Sequence, residues 1–407
     1  MKEPWKTKDW FVSSWNYEKE VKKGFSFPEK IKFHDATLRD GEQQAGLVLS
    51  KDDKIRIAER LAEVGVDRIE AGMPAVSKQD EDAIKEIVKR KLGPEVFVFS
   101  RCVKDDVKRA AECGVDGIII EIPSSTHIIE KAYGWPAEKA IELPIEATQL
   151  AKELGLYTVF FPVDMTRAEL DWFFKIIEKV SSEGHMDALA VVDTMGVLSP
   201  HAVSFLVKEI KKKIKKPLEA HFHNDFNCAS ANTVLALAAG VEVVHASISG
   251  IGERAGMAAY EDVALMLKTM YGIDPGLDLS KMYGLSKLVH EILDIQIPPN
   301  RPIVGDGLFD VESGIVTVWM NRLADTDDVL EIFPFHWDLV GHSRPKVVMG
   351  KHSGGSSIEN WLEKLGIKAS QKEIESMLSK VKEKAYQKRK LLDENDFKKI
   401  VDEVVGR

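Results

Sequence analysis

The segment His221-Phe222-His223 sets two imidazoles two residues apart at the end of an apolar run. On a β-strand, residues i and i+2 point to the same side, so both rings face one way. Two co-facing histidines with a carboxylate nearby make a facial two-histidine, one-carboxylate set. Such a set holds a divalent metal and leaves positions open for substrate oxygens. Asp40, which follows the run IKFHD in the segment ATLRDGEQ, can supply the carboxylate. A single histidine on a strand is more often structural. A pair at a strand mouth favours the metal site Asp40, His221 and His223.

Other polar residues gather at the ends of apolar runs in the same manner. They include His34, Asp35, Thr37 and Arg39 after the first run, Glu70 after the second, and Ser100 and Arg101 after the third. Ser124, Ser125 and His127 follow the fourth, and Asp193 and Thr194 end the sixth. Asn224 and Asp225 follow the histidine pair, and Ser247, Ser249, Glu253 and Arg254 follow the last run. Buried polar groups need partners, so a ring of them implies a polar pocket. The string Gly250-Ile251-Gly252-Glu253-Arg254-Ala255-Gly256 has the spacing GxGxxxG and follows a final strand. No acidic residue ends a next strand at the distance a dinucleotide site needs, so it reads as a tight loop carrying a Glu–Arg pair. No phosphate-binding GxxxxGK[ST] loop occurs.

These residues need a scaffold that brings eight strand ends together. Short β-rich runs (IKFHD, RIEAG, VFVFS, GIIIEI, YTVFFPV, ALAVVD, LEAHFH, VVHASIS) alternate with amphipathic stretches such as KDDKIRIAERLAEVG and HAVSFLVKEIKKKIKK. The strands are nearly continuous apolar runs, as in a parallel sheet covered on both faces. Gly-Val-Asp/Glu recurs before strands, at 65–67, 114–116 and 240–242. It reads as a helix end, a glycine cap and a strand start. Eight such repeats predict a (β/α)8 TIM barrel over 29–273 rather than an open doubly wound sheet. Residues 1–28, with Trp5, Trp10 and Trp15 among charges, form an N-terminal arm expected to pack on its own barrel or on a partner subunit. After Asp274 the rhythm breaks at PPNRPIVGDG, and 274–407 reads as a linker and a mostly helical subdomain.

The chain has 407 residues and a formal charge of −9. Its composition is that of a globular protein with room for a large core. The negative charge argues against nucleic acid or an anionic membrane as the main partner. The basic runs KEIKKKIKKP and KAYQKRK read as solvated helix faces. Three scattered cysteines (Cys102, Cys113, Cys228) fit the reduced thiols of a cytosol, and Cys228 reads as a small core residue of a helix. The N-terminus has no apolar signal segment, and no apolar run is long enough to span a bilayer.

The segments FHDATLRDGEQQAG, EAGMPAVS, VDTMGVLSP, HFHNDFNCASAN, GIGERAG and GKHSG occur in order from about Ile31 to Gly354. Together they resemble the DRE-TIM metallolyase superfamily, and within it the 2-isopropylmalate, homocitrate and citramalate synthase branch. The resemblance implies a divalent metal (Mg, Mn or Zn) on Asp40, His221 and His223, and an acyl-CoA co-substrate. It implies a Claisen-type condensation of an acyl-CoA, acetyl-CoA first among them, with a 2-oxo acid. CoA and a 2-hydroxy-dicarboxylic acid would be released. Arg39 would face the developing oxyanion, with Glu70 and Asp193 orienting it and the metal ligands. Gln43, His127 and Thr194 would contact the 2-oxo acid. A cytoplasmic homodimer acting in amino-acid biosynthesis completes the expectation.

Several positions depart from the family pattern. Val316 replaces a histidine after the SGI motif, Val163 an acidic residue after strand five, and Met257 an asparagine after GERxG. A tyrosine near LVG is not evident. His336, His342 and His352 are the alternative candidates for the missing base. The departures keep two other readings open: a metal-dependent C–C lyase, or a non-catalytic metal-binding paralogue. Against the lyase, GIGERAG lacks the cysteine of HMG-CoA-lyase-like enzymes. About a hundred residues follow the connection and read as helical subdomains, so no separate effector domain is expected.

Overall fold

The computed structural model describes residues 3–406 except 324, 325 and 327. Eight parallel strands close into a barrel in chain order: β1 (Lys32–Asp35), β2 (Arg68–Glu70), β3 (Glu95–Arg101), β4 (Gly117–Pro123), β5 (Tyr157–Val163), β6 (Ala188–Asp193), β7 (Leu218–Phe222) and β8 (Val243–Ala246). β8 returns to β1, with Asp35 beside Ala246 and His34 beside His245. Each run read from the sequence is a strand, and helices separate them, so the fold is the (β/α)8 barrel. The chain divides into two compact units, 15–296 with the barrel, and 3–14 joined with 297–406.

Local chemistry explains the repeats. The helix Lys51–Val64 starts at a reciprocal cap, in which Ser50 Oγ accepts from Asp53 N while Asp53 Oδ2 accepts from Ser50 N. It ends at Gly65 with φ +95°, a left-handed conformation that favours glycine. The Asp of each Gly-Val-Asp repeat has a second job. Asp67 Oδ2 accepts from Phe33 N at 2.9 Å, and Asp116 Oδ2 from Val96 N at 2.7 Å. Asp187 Oδ2, in a third equivalent place, accepts from Thr158 N at 2.8 Å. Each carboxylate satisfies a backbone N–H on the preceding strand at the N-terminal end of the barrel, where such donors would otherwise be orphaned.

The barrel interior is not a wholly apolar plug. Gly117 leaves space for the Phe97 ring, which would lie 2.2 Å from a β-carbon placed there. Against Phe97 packs the Arg68 guanidinium, which bonds Glu95 on one side and buried Glu219 on the other. Glu219 Oε2 meets His245 Nε2 at 2.7 Å, His245 stacks on His34 at 4.3 Å, and His34 Nε2 lies 3.3 Å from Glu70 Oε2. A polar column thus runs up the barrel axis toward the C-terminal mouth. Interior charges persist only when paired in this way.

The helix Met282–Leu293, beyond the eighth repeat, belongs to the barrel unit. Its Ser286 Oγ lies 2.7 Å from Ser249 Oγ. In the other unit, helices Gly355–Lys364, Gln371–Lys388 and Glu394–Val405 pack around Met349, Ile358, Met377, Val381 and Phe397. A two-stranded parallel pair, Asp310–Val311 with Lys346–Val347, accompanies them and was not foreseen from the sequence. The N-terminal arm is divided between the two units. Phe11 N donates to Pro334 O, His336 N to Asp9 O, and Lys6 pairs with Glu331. Tyr17 Oη, further on, donates to Thr269 O of the barrel unit.

Candidate active site

The three residues proposed for the metal converge at the C-terminal mouth. Asp40 Oδ2 lies 3.4 Å from His221 Nε2 and 3.7 Å from His223 Nε2, and the two Nε2 atoms are 3.3 Å apart. All three side chains are buried. Two imidazole nitrogens so close to each other and to a carboxylate are arranged as a shared cation would require. The donor set fits a divalent metal for two further reasons. His223 Nδ1 is held by Gly256 O at 3.1 Å, the backbone contact that orients a ligating ring with Nε2 inward. Burial and the neighbouring His223 and Arg39 outweigh Asp40 and lower the His221 pKa to about 3, so the ring is held in the neutral form that a metal ligand requires.

The glycine string wraps this group. A β-carbon on Gly252 would fall 2.6 Å from Asp40 Oδ1, and the adjacent Glu253 N donates to that same oxygen. Gly256 (φ +80°) passes so close to Gly250 O that no side chain fits. The string is therefore a tight loop that shapes the ligand set. Arg254 finds its main partner in Asp225, at 2.9 Å through two nitrogens, with Glu253 further off at 3.7 Å.

Arg39 stands beside the triad. Its Nε donates to Glu70 Oε1 at 2.6 Å, its Nη2 to Glu70 Oε2 at 3.3 Å, and its Nη1 to Asp40 Oδ2 at 2.8 Å. The guanidinium lies 4.1 Å over the Phe99 ring. Gln43 Oε1 accepts from Nη1 at 3.2 Å, so Gln43 touches the same arginine. Burial opposes ionisation of Glu70, but Arg39 and His34 outweigh it and hold its pKa at about 2. Burial likewise opposes the Asp40 charge, and Arg39 with the two histidines overcomes it, leaving the carboxyl far below its usual range.

The remaining predicted residues sit elsewhere. The Asp193 carboxylate accepts from Thr166 Oγ1 and Leu198 N, so it orients neither Arg39 nor the ligand side chains. Only its backbone carbonyl, which accepts from His223 N, bears on the ligands. Thr194 Oγ1 accepts from Asp164 N, and His127 Nε2 lies 3.2 Å from Asp164 Oδ2. His336, His342 and His352 belong to the other unit. There, His336 Nδ1 accepts from Asp338 N, His342 Nε2 lies 3.0 Å from Gly305 O, and His352 N donates to Glu312. Cys228 lies just before the helix Ala229–Ala238 and is partly exposed, not a core residue.

Two residues escaped the sequence reading. Asp164, next to Val163, is fully buried at φ +64°. It binds Ser125 Oγ at 2.5 Å and Arg167 Nε at 2.6 Å. It organises the mouth between β4 and β5, so His127 and Thr194 both belong to its network. Glu121 is the lone charge within GIIIEIP on β4, a signal the apolar run obscured.

A second cluster, His34, Glu219 and His245, also brings ligand-type atoms together. Glu219 already gives one oxygen to Arg68 and the other to His245, and the two imidazoles meet face to face.

A closed eight-stranded barrel with two histidines, a carboxylate and a clamped arginine at its C-terminal mouth defines an enzyme scaffold with a candidate metal centre. The chain belongs to the DRE-TIM metallolyase superfamily, in its alkylmalate and homocitrate synthase branch. The HMGL-like family model matches residues 30–289, and the homocitrate synthase post-HMGL domain-like model matches 303–389. The chain is 40% identical over 377 residues to a putative (R)-citramalate synthase of Archaeoglobus fulgidus, covering 92% of this chain and 76% of that one. It is 36% identical over 397 residues to a homocitrate synthase of Methanothermobacter thermautotrophicus, covering 98% of both. A 2-isopropylmalate synthase of Methanocaldococcus jannaschii is 36% identical over 393 residues, covering 96% of this chain and 74% of that one. Among solved structures, the HMG-CoA lyase of Bacillus subtilis superposes with a TM-score of 0.60 at 21% identity, covering 67% of this chain and 96% of that one. That likeness concerns the barrel fold alone. Among the described residues, no helix is long and apolar enough to cross a membrane.

Proposed function

We propose that the chain condenses acetyl-CoA with a 2-oxo acid in a divalent-metal-dependent Claisen reaction. The carrying observation is the convergence of Asp40, His221 and His223 with Arg39 bonded directly to Asp40. In the reaction, the acetyl methyl carbon loses a proton and bonds to the 2-oxo carbon. The oxo oxygen becomes a hydroxyl, and water cleaves the thioester to give free CoA and a 2-hydroxy-dicarboxylic acid. A metal held by Asp40, His221 and His223 supplies Lewis acidity toward the oxo and carboxylate oxygens of the acceptor.

The chain's own residues supply the rest. Arg39, pinned at three nitrogen–oxygen contacts, presents a fixed positive charge where the oxo oxygen gains negative charge. Glu70 holds Arg39 in place, and Gln43 steadies its Nη1. Phe99 and Phe161, 5.3 Å apart, back Arg39 and His221 and keep water from their inner side. His127 and Thr194, both held by Asp164, are the groups this reading assigns to contact with the acceptor. A homodimer belongs to the same reading, and sedimentation tests it.

The test is CoA release from acetyl-CoA with a panel of 2-oxo acids, with Mg²⁺, Mn²⁺ or Zn²⁺ and with chelator. Release that needs both a 2-oxo acid and a metal, and that disappears in His221→Ala, supports the synthase. Cleavage of a 3-hydroxyacyl-CoA without any condensation would replace it with a lyase. Metal binding with neither reaction would leave a binding protein.

A further inference from the structure

Glu121 is a partly buried carboxylate with no hydrogen bond or ion pair to any described residue. It lies on β4 with the inward parity of Gly117 and faces Phe161 of β5 across the strand register. Phe161 itself packs on His221 at 4.9 Å and on Phe99 at 5.3 Å, and Phe99 carries the Arg39 guanidinium. Glu121 therefore stands on the same aromatic wall as the metal group and Arg39. The cations near it are committed elsewhere. Arg39 serves Glu70 and Asp40, and Arg101 serves Asp106 at 2.7 Å.

Burial pushes the Glu121 carboxyl up, Arg39 and Arg101 pull it back, and Glu253 pushes it further. A partly buried carboxylate without a partner among the described residues costs free energy, which a bound donor returns. An arriving second carboxylate would instead meet like charge in a site of low dielectric.

We propose that Glu121 selects the 2-oxo acid by the far end of its side chain, accepting a hydrogen-bond donor there and rejecting a second carboxylate. This rests on the synthase reading above and names the acceptor class: a monocarboxylic 2-oxo acid with a hydroxyl or other donor on its side chain. A site that hydrogen-bonds a substrate group discriminates strongly against an analogue that leaves the site's polar group unpaired.

The experiment compares three acceptors of similar length: 5-hydroxy-2-oxopentanoate, 2-oxohexanoate and 2-oxoglutarate. Each is assayed for CoA release from acetyl-CoA with metal. The expected order of kcat/KM is hydroxy acid, then alkyl acid, then dicarboxylate, with about tenfold or more between the first and last. Glu121→Gln, whose amide can donate, is expected to raise kcat/KM for 2-oxoglutarate relative to the hydroxy acid by about tenfold. Glu121→Leu is expected to favour 2-oxohexanoate. The wild-type ranking needs no variant, so a folding defect in either substitution leaves the proposal exposed.

Efficient use of 2-oxoglutarate by the wild type would overturn it. So would an equal fall in kcat for all three acceptors in Glu121→Gln with the ranking unchanged, since that pattern marks a chemical rather than a selecting role. No release from any acceptor in a broad panel overturns the synthase reading, and this proposal with it. Release from other acceptors with the wrong ranking overturns this proposal alone.

Discussion

Replacing Glu70 by glutamine tests whether Arg39 works only when it is clamped. Glu70 offers Arg39 two contacts, at 2.6 Å to Nε and 3.3 Å to Nη2, and both side chains are buried. Glutamine keeps one acceptor for Nε. Its amide nitrogen takes the place of Oε2, where it opposes Nη2 and can turn only toward His34 Nε2, 3.3 Å from that position. The loss is therefore one charge-assisted bond plus the charge itself, about 2–3 kcal/mol. If that loss falls on the orientation of Arg39 toward the reacting oxygen, kcat drops roughly 30- to 150-fold. Metal affinity is expected to change by less than about threefold, because Glu70 touches none of the three ligands and Asp40 keeps its own contact with Nη1. The assay pairs steady-state CoA release with a calorimetric metal titration and a thermal melt of the same preparation. A kcat within about threefold of wild type, in folded and metallated protein, would refute the clamp. A loss confined to metal affinity would place Glu70 beneath the ligand set instead.

Other perturbations follow from the same geometry. Gly252→Ala puts a methyl where Asp40 Oδ1 now sits, 2.6 Å away, and calorimetry should show metal affinity reduced about tenfold or more with the barrel intact. Chelation should lower the thermal midpoint of the wild type, by what a ligand at 100 times its Kd contributes, about 2.7 kcal/mol, and should leave His223→Ala nearly unmoved. Asp35 is fully buried; burial raises its pKa to about 7, against two opposing bonds from Thr37. The folded state keeps this proton longer than the unfolded one, so stability falls as pH rises from about 4 through about 7, by up to about 4 kcal/mol. Urea midpoints at pH 5 and pH 8 should therefore drop more in wild type than in Asp35→Asn. Phe397→Ala empties the fully buried centre of the three-helix cluster, against Trp361, and should cost about 3–5 kcal/mol in denaturant unfolding of that unit.

What the sequence shows most plainly is whatever repeats or stands out by residue type. The eight strands were readable because parallel strands covered on both faces are nearly continuous apolar runs, and the Gly-Val-Asp caps mark where they begin. The convergence of Asp40, His221 and His223 was readable because HxH fixes two side chains on one face by strand geometry alone. Asp193 misled for an instructive reason. A carboxylate at a strand end points toward the mouth by topology, but the next loop can capture it, and here Thr166 and Leu198 N do. Asp164 was hidden by a shift of one position. Its left-handed backbone turns the carboxylate under the loop, and no periodicity reports that turn. The polar column from Glu95 to Glu70 spans residues from five strands, so its pairings exist only once the barrel has closed. Glu121 marks the limit most clearly. A single charge inside GIIIEIP reads as a strand defect until the register puts it beside Phe161 and leaves it without a hydrogen-bond partner among the described residues. Substrate choice in a barrel is written in such residues, because the scaffold and the metal ligands are common to many reactions and the side chains facing the acceptor are not.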